Sequence, residues 1–226
     1  VVIQTSADTN ADGELLIDAG TDGAVGGTLS ITATTGNITQ GQVLAVTGAS
    51  TFVVGATGSN IVLDHASNAF SNSVTMKAGT SGNQAFGNIG FVDNAAVVIQ
   101  TSADTNADGE LLIDGSTDGV VGGTLSIKAN GDITQNIDLA VAGTTTLEAG
   151  SNAITLNRPG NNFSTVIITS GGDVAITDTN AIVLGAATVT GTYHLTAGDA
   201  ITQDGNLLIT GVTTLVAGGN AITLNR

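Results

Sequence analysis

Residues 1–18 and residues 97–114 are the same eighteen letters, VVIQTSADTNADGELLID, set 96 positions apart. The copy runs on, and between 1–31 and 97–127 only positions 19, 20 and 24 differ. A unique active site has no use for a duplicated stretch of this length. A chain built by stacking one unit on another does, so repetition constrains the architecture before any single residue.

Composition agrees. The 226 residues include 32 Gly, 1 Pro, no Cys and no Trp, and aromatics are only 3% against 41% hydrophobic residues. Large rings usually supply much of a globular core. Here Val, Ile, Leu, Ala and Thr take their place, and β-branched side chains favour strands. Runs of four to six residues such as TLSIKA, TTTLEA, AITLNR and TVIITS recur, most of them bounded by Gly, Asn or Asp. That is strand signature with turns between, and no stretch carries a helical period. The chain is therefore expected to be all-β, as a sandwich, a barrel or a solenoid.

A second repeat favours the solenoid. ITQNIDLAVAGTTTLEAGSNAITLNR (133–158) aligns without gaps to ITQDGNLLITGVTTLVAGGNAITLNR (201–226), an offset of 68 (201 − 133). A more diverged copy begins at Ile38, an offset of 95 (133 − 38). With coils of roughly 20–27 residues, within the range of solenoid repeats, 68 residues make about three coils. The excess of 27 (95 − 68) reads as one extra coil, the one carrying DTNADG. The expected fold is a right-handed parallel β-helix running through residues 1–226, with modules at roughly 1–96, 97–200 and 201–226. Both ends fall inside repeats, so the chain reads as a segment of a longer protein. Asn in the turns is expected to take left-handed backbone conformations and form ladders. Pro159 is expected in a turn.

The segments Gly131-Asp132-Ile133-Thr134-Gln135, Leu139 to Gly143, Asn152 to Asn157 and Asn162-Phe163 resemble repeats of large bacterial exoproteins of the filamentous haemagglutinin type. The resemblance implies a right-handed parallel β-helix, export to the cell surface or beyond, and service in adhesion, biofilm or matrix. The DTNADG stretch is not part of that pattern.

Net charge is −15, from 19 acids against Lys77, Lys128, Arg158 and Arg226. No basic stripe exists to neutralise phosphates or an anionic membrane, and no apolar run is long enough to span a bilayer. Asp8-Thr9-Asn10-Ala11-Asp12-Gly13, repeated at Asp104, Asn106, Asp108 and Gly109, matches the first half of a calcium loop. Oxygen side chains at positions 1, 3 and 5 converge on one cation, and Gly permits the sharp turn. The twelfth position is Ala19 or Gly115, so the bidentate Glu is missing, and Asp18 with Asp22, or Asp114 with Asp118, are the candidates to complete each site from the next turn or coil, Asp18 and Asp114 first among them. Ten acids lie within 8–22 and 104–118 with no base among them. The alternative is a solvated turn in which Asp and Asn cap their own backbone.

No nucleophile context and no paired His or Cys at metal spacing is present, and His65 and His194 fall in different modules. Phe70 and Phe163 hold one repeat position and are expected to plug the interior. The chain is not expected to be an enzyme. It is expected to be a structural or adhesive segment of a secreted or surface protein, stiffened by Ca²⁺. Its partners would be copies of itself, end to end or laterally, or host or matrix glycans or proteins. The alternatives are the body of a self-assembling filament or surface layer, and more weakly a polysaccharide-active β-helix enzyme. Titration of calcium into stripped protein is expected to release or absorb heat and to raise the melting temperature. Neither signal appearing would refute the calcium loops.

Overall fold

In the computed structural model, residues 2–4 and 14–16 (as backbone), 23–79, 85–100, 109–115 and 117–226 are described. They contain no helix; parallel strands stack as a β-solenoid of about nine turns. Two large sheets face each other, one of thirteen strands and one of ten, with a three-stranded sheet along one side. The two large sheets alternate along the chain, and every strand pair is parallel. Ile133, Ile154, Val174, Tyr193 and Thr213 stack in one column of the ten-stranded sheet, in steps of 21, 20, 19 and 20 residues. This column keeps to about the expected coil length, whereas the coil from Ile61 to Ile89 takes 28 residues (89 − 61) without the duplicated block.

Alternation explains the core. In Val74–Ala78 and Val174–Asp178 every second residue is buried, as a pleated strand with one covered face requires. Ile38, Ile61, Ile89, Leu125, Thr145 and Val166 follow one another down a single inner column. Burying an aliphatic side chain of this size contributes about 1.5–3 kcal/mol, and the narrow interior has room for little else. The rings that do enter stack on one another. Phe70 lies 6.4 Å edge-on from Phe52 and 5.5 Å from Phe91, nearly parallel. Phe70 and Phe163 are both 1% exposed, as the repeat position suggested. Pro159 sits in a turn.

The module offsets turn out to be half-integral. From Ile133 three coils lead to Tyr193, and Ile201 then lies on the opposite sheet. From Ile38 three coils lead to Leu125, and Ile133 again lies opposite. Each offset is three turns and a half, not three. Consecutive copies of one motif thus occupy opposite faces. The two near-identical strands Leu29–Ala33 and Leu125–Ala129 belong to different sheets.

The duplicated block is not a whole extra coil. Val97–Gln100 and Glu110–Asp114 both join the ten-stranded sheet, while the thirteen-stranded sheet passes straight from Ile89–Asp93 to Leu125–Ala129. The order is also reversed. Glu110–Asp114 reaches back to pair with Val74–Ala78, and Val97–Gln100 pairs forward with Ile133–Gln135. The first copy repeats this arrangement at the same register on the other sheet: Val2 faces Glu14 as Val98 faces Glu110. Sequence spacing carries the length of the insertion but not which edge its strands choose.

Two turn features differ from expectation or refine it. No described non-glycine residue has a positive φ, so none of the described Asn takes a left-handed turn. The Asn ladder does form: Asn60 N donates to Asn37 Oδ1 at 2.8 Å, Asn88 N to Asn60 Oδ1 at 2.6 Å, and Thr124 N to Asn88 Oδ1 at 2.8 Å.

Ser50 and Thr145 turn hydroxyls into the core at equivalent inner positions, and neither oxygen has a hydrogen-bond partner. A buried polar group without a partner costs on the order of 1–3 kcal/mol. Thr145→Val keeps the shape and removes that cost, so it is expected to stabilise the chain by about 1 kcal/mol in chemical denaturation. A destabilised variant would show that the hydroxyl is satisfied in solution.

Candidate functional site

The proposed calcium ligands Asp8, Asn10, Asp12, Asp18, Asp104, Asn106 and Asp108 lie outside the described residues. The eighth, Asp114, lies inside them, and its Oδ2 is 2.9 Å from Lys77 Nζ on the neighbouring coil. Lys77 and Asp114 are direct cross-strand partners, so the register of the reversed strand brings the ion pair together. Among the described residues no three His, Cys, Asp or Glu side chains are grouped to hold a metal. The glycine closing the second loop has a structural reason of its own. Gly109 has φ +81°, and a Cβ there would lie 2.1 Å from Ala96 O, so only Gly lets the two coils meet.

The remaining bases are treated alike. Lys128 pairs with Glu148 at 2.5 Å, Arg158 with Asp138 at 2.9 Å and Arg226 with Asp204 at 2.9 Å. Each partner lies about one coil away. All these side chains are at least 30% exposed, so each pair contributes under about 1 kcal/mol. Their main effect is that no base of the chain stands alone on the surface. His65 and His194 are far apart in the stack: His65 Nδ1 accepts from Ser67 N in a turn, and His194 lies on the strand Tyr193–Ala197.

What the fold does assemble is a buried polar corner, and it assembles it twice. Gln40 and Asn68 exchange two amide hydrogen bonds, 2.5 and 2.9 Å. Asn68 Oδ1 also accepts from Leu44 N at 3.0 Å, and its Nδ2 donates to Leu63 O at 3.2 Å. Gln135 and Asn161 do the same, at 2.8 Å in both directions, with Leu139 N at 2.9 Å and Leu156 O at 3.0 Å. Both Asn are fully buried. Two residues on, the ring plug is tied down by a carboxylate of the following coil. Phe70 N donates to Asp93 Oδ1 at 3.0 Å, and Phe163 N to Asp178 Oδ1 at 2.6 Å. Truncating Asn161 would strand a backbone N–H, a carbonyl and the Gln135 amide inside the core, at a cost of several kcal/mol. The clasp is spent on backbone and amide groups and presents nothing to a substrate. The repeated Asn-x-Phe was visible in the sequence. Its Gln and Asp partners, 26–28 residues before Asn and 15–23 after Phe, become identifiable only when the coil length is known.

Two shallow grooves of about 180 and 190 Å³ repeat in the same way, one over Val120, Val121, Ala140 and Val141, the other over Ala24, Val25, Ala45 and Val46. A third hollow of about 370 Å³ is polar, with Asp93, Asn94, Lys128, Asn130 and Glu148 in its lining.

This doubling of clasps, plugs and grooves has a counterpart among known sequences: the family of repeats of unknown function (DUF5649) matches at residues 4–77, 83–170 and 171–226. The chain belongs to this family. No curated protein and no solved structure matches it, and nothing in these comparisons ties it to the filamentous haemagglutinin type in particular. The three DUF5649 stretches cover nearly the whole chain. In each copy the Gln, Asn and Phe fall within one matched stretch and the Asp that ties the ring falls in the next: Gln40, Asn68 and Phe70 against Asp93, and Gln135, Asn161 and Phe163 against Asp178.

Burial raises the Asp178 carboxyl above its ordinary value, against the opposing effect of the Phe163 and Asn180 N–H groups. Asp173, fully exposed, is held below its ordinary value by the Thr192 backbone N–H and hydroxyl. The two act in opposite senses. Ionising Asp178 costs folding free energy, so its contribution is favourable below the ordinary carboxylate value and is lost as pH rises through its folded value. Asp173 contributes stability above the ordinary value, lost as pH falls through its lowered one. Asp178→Asn keeps an acceptor for Phe163 N and cannot ionise. Melting curves between pH 7 and pH 4 are expected to show a smaller acid stabilisation, or a larger acid loss, in this variant than in the parent. Identical pH profiles would show that Asp178 does not titrate there.

Proposed function

We propose that the chain is a stiff structural segment of a secreted or cell-surface repeat protein, which extends or displays what it carries and performs no chemistry itself. The observation that supports this most is the duplicated Gln–Asn–Phe–Asp corner. Buried amides and carboxylates are the raw material of active sites. Here they occur twice with the same partners and are committed to backbone groups of adjacent coils. A solenoid whose coils contact only their neighbours resists bending through the same bonds that fold it. The extracellular setting rests on the resemblance of the repeat segments to exported surface proteins. Adhesion and calcium stiffening belong to the same proposal.

Electron microscopy and solution scattering are expected to show rods whose length grows with coil number, on the order of 40 Å for about nine turns at roughly 4.8 Å per coil. A screen of polysaccharides is expected to return no cleavage. Catalytic turnover of any of them, lost on substituting an acidic residue, would overturn the proposal in favour of an enzyme.

A further inference from the structure

One side of the rod is built out by the short strands Ala24–Val25, Ala45–Val46 and Ala69–Phe70, and later by Leu207–Ile209. Between them, three successive coils pass from the thirteen-stranded to the ten-stranded sheet without such a strand, at residues 94–96, 130–132 and 149–153. This follows from the half-turn offset, which moves the short strands to the opposite side, where Val120–Val121 lies. The recess left behind is the polar hollow of about 370 Å³, walled at one end by Ala66. That volume lies within the range of small-molecule sites, about 300–1,000 Å³.

Its lining is held in place by the main chain. Asn130 N donates to Asp93 O at 3.2 Å and to Ala95 O at 3.1 Å, which fixes the exposed Asn130 at the rim. Lys128 and Glu148 stand side by side at 2.5 Å, each partly exposed. The bowl therefore offers ammonium and amide donors beside carboxylate and amide acceptors. The chemistry of the occupant follows by elimination. An anion would meet Glu148 and a chain of net charge −15, and a cation would meet the Lys128 ammonium. A flat aromatic ligand would find only Ala66, Val92, Ala129 and Gly150 as apolar floor, with no ring to stack on. A ligand of adjacent hydroxyls, each both donor and acceptor, satisfies both kinds of group at once.

We propose that this recess binds a neutral sugar unit of a saccharide. The proposal gives the surface segment a ligand class and rests on that reading only for where the sugar would come from. Saturation-transfer NMR of the full chain against neutral and acidic mono- and disaccharides tests it. Transfer to a neutral sugar is expected. Affinity should fall about tenfold in Asn130→Ala and at least as much in the double variant Lys128→Met with Glu148→Gln, while both variants keep their melting temperature within a few degrees, since an exposed pair adds little stability. Absence of transfer to every neutral sugar, binding that survives both variants, or preference for acidic sugars would each overturn it. Rod shape in the electron microscope depends on none of these results, so failure here leaves the structural proposal standing.

Discussion

Most of the specific contacts among the described residues are instances of one relation: a residue's neighbour in space is the residue one coil further on. The parallel backbone ladder imposes that relation, because its hydrogen bonds run between coils and not within them. Once Ile133 is registered on Ile154, the side chains around them are registered too. Lys77 meets Asp114 and Lys128 meets Glu148 because they are cross-strand partners. Gln135 meets Asn161 because they turn the same corner on successive coils. Stability in such an array is close to a sum of coil terms and nearest-neighbour terms. A single residue then matters in proportion to how many coils it ties, which is why the doubly bonded Asn68 and Asn161 outweigh the exposed ion pairs.

The half-turn offset is the less obvious consequence of that register. With two main sheets, a motif returns to its own face only after a whole number of turns. Offsets of 68 and 95 residues both end half a turn out. The longer one does so because the duplicated block lays both its strands on one sheet, adding a rung without advancing the chain around the axis. Insertion and rotation are therefore uncoupled. A module with the block and a module without it hand the chain on in the same phase.

The strand content, the solenoid and the coil length were legible in the sequence, since apolar alternation and internal offsets report on local pleat and on repeat length directly. The inward rings at Phe70 and Phe163 and the Asn ladder from Asn37 to Asn88 were legible for the same reason. The reversed order of Val97–Gln100 and Glu110–Asp114 was not. Two strands of similar pattern can exchange places on a sheet without changing any spacing. Nor were the carboxylates of Asp93 and Asp178 marked as interior, because an isolated Asp at a strand end looks like any solvated turn. Gly109 shows a further limit: the metal-loop pattern gave one reason for a glycine there, and the approach of the Ala96 carbonyl, a second and independent reason, is not written in the local sequence.

Alternation of faces also decides the geometry of whatever the rod meets. Partners bound to equivalent surfaces of successive modules, such as the grooves over Ala45 and over Ala140, would point away from each other across the axis. A display of that kind favours bridging between two separate bodies over a file of ligands along one edge. Equivalent surfaces of the rod thereby alternate in azimuth as well as repeat in length.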